Sequence, residues 1–120
     1  MTLNHSEPSG VVVPAITPVD DEDRVHEADF RRSIRRLIDS GVNAIFIGGS
    51  AGEGPLLTEH EWERMVTIAY DEAHGAVNLL GGAMDTSTRR VLAKMRILAQ
   101  LGYPHCVVTP TYYTTLRHPD

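Results

Sequence analysis

The chain has 120 residues, enough for one domain of ordinary size, and its 42% apolar share is enough to fill a core. A net charge of -5 argues against nucleic acid or an anionic membrane surface as a partner. Cys106 is the only cysteine, which excludes a disulfide framework and a cysteine-rich metal site and fits a reducing, cytoplasmic setting.

Residues 1–9 are polar and read as a loose lead-in with no apolar h-region, so no signal peptide is expected. Nowhere does an apolar run approach the ~20 residues of a membrane helix. Val11 to Thr17 is a short, nearly all-apolar run of the kind buried in parallel sheets, although Pro14 lies within it. An acidic loop, Pro18 to Val25, follows. From Glu27 to Ser40 the spacing of Phe30, Ile34, Leu37 and Ile38 predicts a helix. Arg31, Arg32, Arg35 and Arg36 fall outside its stripe and read as a solvated face, and Gly41 stands at the C′ position.

Ala44 to Ile47 is a second strand. Thr58-x-x-Glu61 is a capping box opening a helix with the stripe Trp62, Met65, Val66, Ala69, Tyr70 and Ala73. Trp62 could serve as a ligand platform, but core packing is the simpler account of its position. Asn78 to Gly82 is a third strand. The next helix, capped by Thr86 or Ser87, carries the stripe Val91, Met95, Leu98 and Ala99, with Gly102 at C′. Cys106 to Thr109 is a fourth strand, ended by Pro110.

This βαβαβαβ alternation means a parallel sheet, either a small doubly wound domain or part of a (β/α)8 barrel. In both, ligands bind at the carboxyl ends of the strands. The residues expected there are Thr17, the loop Gly48-Gly49-Ser50-Ala51-Gly52-Glu53-Gly54, the turn Gly82-Ala83-Met84-Asp85, and Thr109 to Tyr113. The glycine loop joins a strand to a helix, the geometry that offers backbone N–H groups to a small anion. It is not a nucleotide loop: a P-loop would end in Gly-Lys-Ser/Thr, and G-x-G-x-x-G is not met in register. The loop suits a carboxylate-sized ligand better than a dinucleotide, and a plain strand-to-helix turn with structural glycines is the other reading.

Ile16-Thr17-Pro18, Gly41-Val42, Gly49-Ser50-Ala51-Gly52-Glu53 with Leu57-Thr58, Gly81-Gly82, and Thr109-Pro110-Thr111-Tyr112-Tyr113 occur in the order and spacing of a known group. The chain resembles the dihydrodipicolinate synthase / N-acetylneuraminate lyase family, pyruvate-dependent class I aldolases, over nearly all of its length from Gly10. The resemblance implies a (β/α)8 TIM barrel, of which residues 10–120 supply roughly the first four βα units, usually in homotetramers. It implies an enzyme that joins a lysine to pyruvate or another 2-oxo acid as a Schiff base, with an aldehyde as second reactant and no cofactor. It also places the 2-oxo acid carboxylate on the Ser50-Ala51 turn, and the expected substrate-binding residues are Gly49, Ser50, Ala51 and Thr17. Ser50 takes the position of a hydroxyl that also relays protons, while Ala51 replaces the usual threonine. Tyr112 or Tyr113 takes the place of a tyrosine that reaches into a neighbouring subunit's active site.

The family's Schiff-base lysine belongs to a later strand. Lys94, the only lysine here, is expected on the polar side of its helix as a solvated residue. No metal is expected, because the six histidines form no HExxH or paired spacing. Two other readings stay open: a small non-catalytic α/β module binding a carboxylate or phosphate, and a degenerate family member marked by Ala51.

Overall fold

Short apolar runs, each followed by an amphipathic segment, set the architecture. The computed structural model describes residues 7–110. Strand β1 (Val12–Pro14) leads to helix α1 (Glu27–Asp39), then β2 (Ala44–Ile47), a 3-10 turn (Gly54–Leu56) and helix α2 (Glu59–Ala73). Strand β3 (Asn78–Gly82), helix α3 (Thr88–Leu101) and strand β4 (His105–Val107) complete the described residues. These are three complete βα units and a fourth strand.

All strand pairs are parallel, and their spatial order β1-β2-β3-β4 is the sequence order. That order decides between the two expected architectures. A doubly wound sheet reverses direction at a switch point, whereas a barrel adds each strand beside the last. Right-handed crossovers in unbroken order put every helix on one face of the sheet. On that face Ile45, Leu79, Phe30, Ile34, Met65, Val66 and Leu98 form one core with Trp62. On the other face Phe46 and Leu80, in register with Pro14 and His105, are only half-buried.

Pro14 fits its strand for a simple reason. The Ala15 N–H donates to Phe46 O and Val11 O accepts from Asn43 N, so odd-numbered residues face β2. By alternation, the missing donor of Pro14 faces the side away from β2, where it interrupts no bond between these strands.

Helix α1 follows its expected stripe, with Phe30 and Ile34 buried and Leu37 and Ile38 packed against the core. Its arginines are less solitary than expected, since Arg31 and Arg35 bond Asp71 and Glu72 of α2. Helix α3 differs more. Of the expected stripe, Val91 and Leu98 pack inward, but Met95 and Ala99 are exposed, as is Leu92 beside them. The inward face is Val91, Lys94, Ile97, Leu98 and Leu101, so a lysine occupies a core-facing position.

Candidate functional site

The site is built where β2 ends. Gly48 leaves the strand at φ +75°, a left-handed conformation that a side chain would strain, and Gly49 stays buried beneath the turn. Ser50 and Ala51 are the exposed tip, and Gly52 returns to the interior. Glu53 is left-handed at φ 53°, an unusual conformation for a residue with a side chain. The Glu53 N–H donates to Ser50 O and the Gly54 N–H to Gly49 O, closing the turn on itself. Close backbone packing fixes the base of this turn. A Cβ at Gly82 would come within 2.6 Å of Gly48 O, and one at Gly54 would overlap the same carbonyl.

Thr17, beyond β1, lies beside this turn. Its residue is 8% exposed, and its hydroxyl donates to Gly52 O at 2.6 Å while lying 3.3 Å from Met65 Sδ. Thus Thr17 and the Ser50 turn are brought together as expected, but the Thr17 hydroxyl proton is directed to the loop backbone. Ser50 is itself engaged within the fold. Thr109, after β4, buries its hydroxyl oxygen with no hydrogen-bond partner among the described residues. Tyr112 and Tyr113 lie outside the described residues.

The turn after β3 is held by α3. The Asp85 carboxylate accepts from Arg90 Nε at 2.8 Å and from the Thr86 N–H at 2.7 Å, and it meets Lys94 Nζ at 3.1 Å. Burial pushes the Asp85 carboxyl up, but the bonds from Arg90, Lys94 and the Thr86 amide outweigh it and hold it below the usual carboxylate range. Lys94 also donates to Met84 O at 3.0 Å and lies 5.2 Å from the centre of the Trp62 ring. The expectation of a solvated Lys94 is therefore corrected: the residue is 7% exposed. The error was one of phase. Lys94 stands three residues after Val91 and four before Leu98, on the inward stripe, where an acceptor and a carboxylate await it. Its ammonium serves the β3–α3 turn rather than the glycine loop.

A second residue gave little signal. Glu61, in the capping box, receives only half of that motif. Its N–H donates to Thr58 Oγ1 at 3.2 Å, while its carboxylate accepts from the Val25 N–H at 2.7 Å and from Arg64 at 2.8 Å. The loop between β1 and α1, which carries Thr17, is thereby fastened to α2. Among the described residues no group of acidic, histidine or cysteine side chains could hold a metal ion, and no helix is long and apolar enough to cross a membrane.

The chain is similar to known proteins in sequence and in fold. The profile of the Dihydrodipicolinate synthetase family matches residues 7–119. A 4-hydroxy-tetrahydrodipicolinate synthase from Methanothermobacter thermautotrophicus is 34% identical over 104 residues, which are 87% of this chain and 37% of that protein. Among solved structures, the dihydrodipicolinate synthase of Agrobacterium tumefaciens superposes with a TM-score of 0.84 at 28% identity, over 92% of this chain and 37% of its own. The N-acetylneuraminate lyase of Fusobacterium nucleatum gives a TM-score of 0.84 at 25% identity, over 92% and 38%. The chain thus spans a little over a third of the length of these relatives.

Proposed function

The chain belongs to the dihydrodipicolinate synthetase family, and from that premise we propose that it forms the carboxylate-binding part of a lyase or synthase acting on pyruvate or another 2-oxo acid. The observation that carries the reading is the exposed Ser50-Ala51 tip of a glycine turn at the carboxyl end of a barrel strand. Ligands gather at that end of such barrels, and backbone N–H groups there stabilise a carboxylate without needing a cation.

In this reading Gly49, Ser50 and Ala51 hold the 2-oxo acid carboxylate. A lysine amine attacks the keto carbon, and loss of water leaves a protonated Schiff base. Removal of a proton from the adjacent carbon gives an enamine, which adds to the carbonyl carbon of an aldehyde. Ser50 and Tyr112 or Tyr113 relay the protons, the tyrosine being shared between subunits of a homotetramer. The lysine is supplied by a part of the polypeptide outside this chain, because Lys94 is bound to Asp85 and Met84 O on the helix side.

Full-length protein incubated with pyruvate and borohydride, then weighed intact, tests the proposal. One reduced pyruvate adduct per subunit, on a lysine other than Lys94, is expected. Absence of the adduct, with pyruvate still bound, would replace the Schiff-base enzyme by a carboxylate-binding module.

A further inference from the structure

We propose that Thr17 is a positioning residue that aims the Ala51 N–H at the 2-oxo acid carboxylate through two consecutive peptide planes; the inference rests on the Ser50 turn being the carboxylate site. The Thr17 hydroxyl donates to Gly52 O at 2.6 Å. That carbonyl belongs to the same rigid peptide unit as the Glu53 N–H, which donates to Ser50 O at 3.1 Å. The Ser50 carbonyl, in turn, shares its peptide unit with the Ala51 N–H. Among the described residues no peptide bond is cis, so in each unit the N–H points opposite to the carbonyl. Gripping Gly52 O therefore sets the direction of the Ala51 N–H, and each bond in the series polarises the next.

The geometry around the strap supports a positioning role. The Glu53–Ser50 and Gly54–Gly49 bonds join the turn to itself, and the Thr17 hydroxyl ties it across to the end of β1. Gly52 sits directly on that end, since a Cβ there would lie 2.8 Å from Ala15 O and 3.3 Å from Thr17 Oγ1. Thr17 is itself held from below by Met65 Sδ and by burial at 8% exposure, so its hydroxyl has little freedom to aim elsewhere. The left-handed Glu53 follows the Glu53–Ser50 bond and turns the next N–H, that of Gly54, back to Gly49 O at 3.2 Å.

The carboxylate stays on the loop through the reaction, so a misaimed amide weakens ground state and transition state alike. In the full-length enzyme, Thr17→Val keeps the side-chain volume but leaves Gly52 O without its donor. The KM for pyruvate should rise about tenfold while kcat changes by less than about threefold. The KM for the aldehyde should not move, and Thr17→Ser should restore the wild-type pyruvate KM. An unchanged pyruvate KM in Thr17→Val, or a tenfold rise in Thr17→Ser, overturns the strap. Should Thr17→Val not fold, Thr17→Ser decides the matter alone by the same criterion. Wild-type enzyme trapped with pyruvate and borohydride runs alongside. The absence there of both an adduct and pyruvate binding defeats the carboxylate-site reading and the strap with it, whereas an adduct with an unmoved Thr17→Val KM defeats the strap only.

Discussion

Lys94 and Glu61 show how a charge comes to lie inside a small α/β fold: each has two partners waiting for it. Lys94 meets Asp85 and Met84 O, so Lys94→Met removes a donor from a buried carbonyl and one of the cations facing Asp85. The variant should lose about 1–3 kcal/mol in urea unfolding, yet still form the borohydride-trapped pyruvate adduct. Loss of the adduct in a folded Lys94→Met protein would mean that Lys94 is the nucleophile after all. Glu61 gives a pH prediction. Burial pushes its carboxyl up, but the Val25 amide and Arg64 outweigh that and hold it below its usual 4.5. A depressed carboxyl contributes stability that is complete above pH 4.5 and fades as pH falls through the folded value. Glu61→Gln should therefore cost about 1–3 kcal/mol at pH 7 and flatten the acid limb of stability against pH. Urea titrations of both proteins between pH 7 and about pH 3 read this directly; parallel acid limbs would assign the loss to packing. The Val25 partner could not be read from the sequence, because it lies 36 residues from Glu61 and only the tertiary fold brings it near.

At the scale of elements, the legible features were those fixed by local chemistry. Strands β2 and β3 run over the expected residues, Thr58 caps α2, and Gly102 ends α3 in the left-handed conformation. The glycine turn was legible as a strand-to-helix connection, and Ser50 and Ala51 form its exposed tip. The face of α3 was not legible. Leu92, Met95 and Ala99 make as apolar a stripe as Val91, Leu98 and Leu101, and no local rule says which one the sheet covers. The carbonyl contacts under the loop were equally hidden, since a glycine pair in sequence does not reveal which backbone approaches it. Gly82→Ala should expose their importance. Its methyl would lie 2.6 Å from Gly48 O and 3.1 Å from Ile47 O, against backbone with no flexible side chain to yield. At Gly75, by contrast, nothing lies within 4 Å, so alanine there meets only the strain of φ +79°. Gly82→Ala is expected to cost more than about 2 kcal/mol and Gly75→Ala about 1 kcal/mol. Paired thermal melts check the order, and a reversal would remove the Gly48–Gly82 contact as the footing of the site.

For the whole molecule, strand order is the decisive quantity. A parallel sheet running β1-β2-β3-β4 in sequence is the course of a (β/α)8 barrel, and this chain follows it over three units and a strand. Within the described residues, β1 and β4 each have one neighbour, so each presents an unpaired edge. Apolar side chains collect at the same places. Val12 in β1 and Ile16 just after it are 39% and 61% exposed, and Val108 is 43% exposed beyond β4. Leu92 and Met95 add an uncovered flank on α3. Further βα units of a barrel would pair both edges and cover that flank. The 120-residue chain prepared alone should therefore bind an apolar dye and elute, under light scattering, well above its 13.2 kDa mass. The full-length protein should bind no dye. A monodisperse 13.2 kDa species without dye binding would instead describe a self-sufficient α/β module that keeps its edges soluble, and the case for a carboxylate-binding domain without chemistry would then outweigh that for an aldolase.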